Sequence, residues 1–137
     1  IRDTWGSLDF VIHSIAFAPR QDLHGRIVDC SQAGFLQAMQ VSCHSFLEMA
    51  HHAEPLMRPG GALITMSYYG ADKVVSNYNL MGPVKAALES SVRYLAHDPD
   101  ADLYWTNLRF SPRGDRLYVG LDLQGEDVEI YEVVTKR

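Results

Sequence analysis

The order of the predicted elements constrains this chain more than any single residue does. Leu8-Asp9-Phe10-Val11-Ile12-His13-Ser14 is short, mostly apolar and carries β-branched residues. That is the pattern of a strand buried on both faces of a parallel sheet. Ser31 reads as the N-cap of a helix over 32–52, with an apolar stripe of Phe35, Met39, Phe46, Met49 and Ala50 widened by Leu36 and Leu47. Pro55 and Pro59-Gly60-Gly61 end that helix, and Ala62-Leu63-Ile64-Thr65-Met66-Ser67 reads as a second strand. A loop then leads to a second helix over 78–96. Its packing residues include Ala86, Ala87, Leu88 and Leu95, and Pro83 lies near its start, where a missing N–H costs least. Strand, helix, strand, helix predicts an α/β fold with parallel strands joined by right-handed crossovers. Ligands of such sheets bind beyond the carboxyl ends of the strands, which puts Ser14, Ser67 and Tyr68 at the predicted site.

Tyr78 and Lys85 stand seven residues apart. On a continuous helix, seven steps of roughly 100° return to within about 20° of one face. A phenol beside an ammonium is a proton donor with a nearby cation. The cation favours phenolate, so the expectation is a lowered Tyr78 pKa, suited to stabilising a developing enolate. Spacing alone is weak evidence, because such pairs arise by chance on many amphipathic helices.

The surrounding words are more specific. Ser14-Ile15-Ala16-Phe17-Ala18-Pro19 after a strand, Met66-Ser67-Tyr68 closing another, and Tyr78-Asn79-Leu80-Met81-Gly82 resemble the bacterial enoyl-acyl-carrier-protein reductases of the short-chain dehydrogenase/reductase superfamily. The resemblance runs from about residue 5 to residue 95. It implies a partial Rossmann-like core over 1–97 and NADH as cofactor. The implied substrate is an enoyl chain linked to acyl carrier protein, and the implied assembly is a homo-oligomer, tetrameric in the family, built through the two long helices. By the same resemblance Tyr78 is the catalytic tyrosine that hydrogen-bonds the thioester oxygen, and Lys85 holds the nicotinamide ribose. Tyr68 lines the acyl pocket, and Ser14, Ile15 and Ala16 pass close to the cofactor.

Two departures qualify that reading. The glycines of the chain never form the G-x-G-x-x-G turn that cradles a pyrophosphate. The chain also opens on Ile1 with Met39 as its first methionine. The expectation is therefore a fragment whose NADH binding is weak or absent and which is inactive by itself. The competing reading is a non-catalytic fragment that self-associates through its tail. Beyond the boundary signal Asp98-Pro99-Asp100, residues 98–137 read as an antiparallel β meander with strands over 103–110, 116–121 and 128–134. Turn residues at 111–115 and 124–127 separate these strands, which look like one blade of a β-propeller.

Composition removes other function classes. A net charge of −5, with an acidic tail, offers no groove for nucleic acid. No apolar run approaches a membrane span and no signal peptide is visible. Cys30 and Cys43 lack metal or redox spacing and read as free thiols of a reducing, cytoplasmic compartment. His44, Glu48 and His52 are spaced for one helix face, with His51 beside them, but the favoured reading is a polar face and no metal. His13, set in an apolar strand, reads as a hydrogen-bonded core histidine.

Overall fold

The computed structural model describes residues 1–96, side chains of 58–60 excepted, and the backbone of the strands 104–110, 116–123 and 126–134. A short helix α1 (Arg2–Trp5) turns at Gly6, whose φ of 78° suits glycine, into β1 (Leu8–His13). The connection from residue 14 to residue 31 holds only the one-turn α2 (Arg20–Leu23) and a 3-10 turn at Ile27–Asp29. Helices α3 (Gln32–Met39) and α4 (Ser45–Ala53) form one run through a π turn at Gln40–His44. Then come β2 (Met57–Tyr68), α5 (Met81–Ala96), β3 (Tyr104–Phe110), β4 (Arg116–Leu123) and β5 (Glu126–Val134). They make one sheet in the order β1-β2-β3-β4-β5.

The expected pairing of the first two strands holds. Phe10, Val11, Ile12 and His13 of β1 lie parallel to Ala62, Leu63, Ile64 and Thr65 of β2. β3 adds a third parallel strand against β2. The expected boundary at 98–100 and the turn 111–115 lie outside the described residues. Glu126 and Asp127, expected in a turn, belong to β5.

Ser31 caps α3 as its sequence position predicts, accepting from the Gly34 N–H at 3.0 Å. Its own N–H donates to Asp22 at 2.6 Å, and a Cβ on Gly34 would overlap that carboxylate. The buried face of the α3–α4 run is Gly34, Ala38, Ser42, Cys43, Phe46, Ala50 and Ala53. Phe35 and Leu36, expected in the apolar stripe, are 40% and 59% exposed. The wider π turn brings both Ser42 and Cys43 inward and rotates the stripe away from those two residues.

Both long helices cover the same face of the sheet. Leu63 and Thr65 of β2 and His13 of β1 are fully buried beside Phe46, Val84 and Leu88. The alternate residues Phe10 and Ile12 of β1 are 60% and 51% exposed. The expectation that β1 is buried on both faces is therefore corrected: the face that carries Phe10 and Ile12 is exposed. No described helix is long and apolar enough to cross a membrane.

His13 is the core histidine that its position predicts. Nδ1 lies 2.9 Å from Thr65 Oγ1 and Nε2 lies 2.8 Å from Ser45 Oγ. The Ser45 hydroxyl donates to the Val41 carbonyl, so Nε2–H is the donor to Ser45 and Nδ1 accepts from Thr65. Burial, and then the charge of Lys85, push the His13 pKa below its ordinary 6.5. The unfolded chain binds this proton at about 6.5 while the folded ring resists it, so the contribution is whole above that pH and is lost as pH falls below it. The urea midpoint is expected to drop between pH 7.5 and 5, and His13→Gln to flatten that drop while lowering stability at pH 7.5. An unchanged slope in the variant contradicts this assignment.

Candidate active site

Three consecutive residues at the carboxyl end of β2 meet α5 and the turn before it in three ways. The Lys85 ammonium donates to the Met66 carbonyl at 2.6 Å. The Ser67 hydroxyl donates to the Glu89 carboxylate. The Tyr68 ring packs against the Tyr78 ring, with centroids 4.7 Å apart and planes tilted by 57°. Lys85 and Glu89 are one helical turn apart and are 5% and 3% exposed. Alternation along β2 aims Ser67 at α5, and helical spacing aims Met81, Val84, Lys85, Leu88, Glu89 and Val92 back at the sheet.

Tyr78 is not on this helix, which corrects the helix expected over 78–96. α5 begins at Met81, and Tyr78 sits in the preceding turn. Asn77 adopts φ 60°, a left-handed conformation that asparagine tolerates better than most residues, and so redirects the chain. The Tyr78 carbonyl still accepts from the Gly82 N–H at 3.3 Å, which ties the turn to the helix. Small residues form the seat of the ring. A Cβ on Gly70 would overlap Tyr78 Cδ1 and Cε1, and one on Gly82 would come 3.0 Å from the Gly70 carbonyl. The Asn79 amide donates to the Gly25 carbonyl and fastens the 14–31 connection beside the site.

The electrostatics reverse one expectation. The Tyr78 pKa is not lowered by Lys85. Burial, then the charges of Tyr68 and Glu89, push it up to about 12. Tyr78 is thus a neutral hydrogen-bond donor across the physiological range. Burial lowers the Lys85 pKa, against the opposing influence of Cys43 and Glu89. The ammonium is felt by His13 as well, which places its charge near the end of β1. Ser14, Ile15 and Ala16 follow β1 immediately and are all exposed.

A cleft of about 400 Å3 opens between residues 70–75 and the start of α5, with Tyr78, Val75, Pro83, Ala86 and Ile27 in its walls. Tyr78 borders this cleft; Lys85 does not, lying on the sheet side of α5. Tyr78, Tyr68 and Lys85 are therefore brought to one strand end, with Ser14–Ala16 at the end of the neighbouring strand. Two contributors were missed in the sequence, Glu89 and Gly70, although the four-residue step from Lys85 was a usable signal for Glu89. His44, Glu48, His51 and His52 are exposed, and among the described residues no group of three or more acids, histidines or cysteines is placed to hold a metal.

Comparison with known proteins gives consistent matches. The enoyl-(acyl carrier protein) reductase family model matches residues 1–102. The chain is 51% identical over 98 residues to the NADH-dependent enoyl-[acyl-carrier-protein] reductase FabI of Rickettsia bellii, covering 72% of this chain and 37% of that protein. It is 50% identical over 99 residues to its Aquifex aeolicus counterpart, with the same coverage. Among solved structures, the reductase of Anaplasma phagocytophilum in complex with NAD superposes with a TM-score of 0.77 at 50% identity, over 81% of this chain and 43% of that one. The Aquifex aeolicus structure gives 0.70 at 45% identity, over 80% and 47%. The chain thus spans little more than a third of the length of these curated relatives.

Two expectations follow from the geometry. Gly70→Ala forces the Tyr78 ring or its own turn to move, and a cost of about 1–3 kcal/mol in urea unfolding is expected; an unperturbed variant contradicts the seat. The phenolate absorbance lost in Tyr78→Phe is expected to titrate near pH 12. A midpoint below 10 would restore the cation-activated phenolate.

Proposed function

Because the chain belongs to the enoyl-acyl-carrier-protein reductase family, we propose that it carries the reducing end of an NADH-dependent enoyl-thioester reductase site, serving fatty-acid synthesis in the cytoplasm. The observation that carries this reading is the docking of Tyr78, Tyr68 and Lys85 around one strand end.

Tyr78 donates its hydroxyl hydrogen to the thioester carbonyl oxygen of an enoyl group on acyl carrier protein. Its raised pKa keeps that hydrogen in place until negative charge develops on the oxygen. Tyr68 keeps the phenol oriented by ring contact and lines the acyl pocket. Lys85 has donated one of its three hydrogens to Met66, and the other two suit the hydroxyls of a ribose. Ser14, Ile15 and Ala16 lie exposed at the neighbouring strand end, where a nicotinamide would lie. When bound, NADH supplies the hydride that adds to the β carbon. No G-x-G-x-x-G turn occurs in these 137 residues, so the hold they exert falls on the nicotinamide end.

In this reading residues 1–97 carry the chemistry. Beyond them, the described strands β3, β4 and β5 contribute sheet, with β4 antiparallel to β3 and β5 antiparallel to β4. The exposed Phe35, Leu36 and Tyr94 on the two long helices suit a contact between copies in a homo-oligomer.

The test is NADH oxidation dependent on a crotonyl thioester, run at millimolar NADH so that weak cofactor binding does not hide the chemistry. Tyr78→Phe is expected to lower the rate at least about a hundredfold while leaving NADH binding, followed by nicotinamide fluorescence, nearly unchanged. Equal rates in the two proteins, or oxidation indifferent to the thioester, contradict the proposal.

A further inference from the structure

We infer that Ser42 is a positioning residue that holds the stretch Ser14–Ala16 in its binding conformation by clamping the backbone of Phe17; the role rests on the reductase reading above. Ser42 is fully buried inside the π turn Gln40–His44. Its hydroxyl accepts from the Phe17 N–H at 2.7 Å and donates to the Phe17 carbonyl at 2.9 Å. One side chain thus satisfies both polar groups of one residue 25 positions away.

Two other helical serines show that this is not the default. Ser45 and Ser91 donate to the carbonyls four residues back, Val41 and Ala87, which is the usual outlet for a helical hydroxyl. Ser42 sits where the helix widens, and its hydroxyl goes to the loop instead. Nor is the contact a by-product of burying the Phe17 ring, which stays 46% exposed.

Three residues further along the same run, Ser45 bonds His13. The two residues that flank Ser14–Ala16, namely His13 and Phe17, are therefore anchored to one segment of helix. Between the anchors the three residues assigned to the nicotinamide end lie exposed. A segment fixed at both flanks has little freedom left to lose on binding, and lost freedom is a main cost of association.

The experiment compares wild type, Ser42→Ala and Ser42→Cys. Cysteine nearly preserves the volume but is a poor hydrogen bonder, so it separates lost packing from lost bonding. Ser91→Ala, which removes a back-bonding hydroxyl, is the control. Amide hydrogen exchange at residues 14–17 and NADH titration by nicotinamide fluorescence are read on each protein. Both Ser42 variants are expected to exchange faster at 14–17 and to bind NADH about tenfold more weakly, with Ser91→Ala unchanged in both. Faster exchange with unaltered NADH affinity overturns the positioning role, and unaltered exchange overturns the clamp itself. If the wild type shows no saturable NADH binding, the reductase reading fails and the positioning role goes with it, while the exchange comparison still decides whether Ser42 holds Phe17.

Discussion

The contact between the Lys85 ammonium and the Met66 carbonyl is the constraint on which the rest of the site depends. A cation that is 5% exposed is costly unless something replaces its water. Here the Met66 carbonyl does so in part, with the charge of Glu89 one turn away favouring the ammonium, and a hydrogen bond to a charged group is worth about 1.5–3 kcal/mol. The arrangement fixes the rotation of α5 about its own axis. Once Lys85 points at Met66, helical spacing delivers Glu89 to Ser67 and the apolar residues Val84, Leu88 and Val92 to the core.

Tyr78 is set by a second device. It lies one turn outside the helix, wedged between Tyr68 and the bare backbone of Gly70, with Gly82 closing from below. Burial and the Glu89 charge act on the phenol in the same direction, against ionisation, whereas on Lys85 they oppose each other. One buried carboxylate thereby helps keep the lysine charged and the tyrosine protonated. Those are the forms required if tyrosine is to donate a hydrogen while lysine holds hydroxyl groups.

Much of this was legible in the sequence because it rests on local periodicity. The strands expected at 8–14 and 62–67, observed as Leu8–His13 and the later part of Met57–Tyr68, and the helix cap at Ser31 follow from apolar runs and one capping side chain. What escaped depends on contacts between distant residues or on irregular backbone. Nothing local announces that Asn77 turns left-handed, so Tyr78 read as helical although the helix begins at Met81. The π turn shifts the buried face of the first long helix, so Phe35 and Leu36 misled. The raised pKa of Tyr78 could not be read from its spacing to Lys85, since it comes from burial and from Glu89. Gly70 matters only because the Tyr78 ring lies on it.

The central proposal is that this strand end directs hydride to the β carbon of an enoyl thioester whose carbonyl oxygen Tyr78 holds. The most direct measurement follows isotope: NADH carrying deuterium at the transferable C4 position is incubated with the protein and a crotonyl thioester, and the product is analysed by NMR. The account predicts cofactor deuterium at the β carbon alone, with the α position filled from solvent. Deuterium at the carbonyl carbon, or a saturated product without cofactor label, would contradict it.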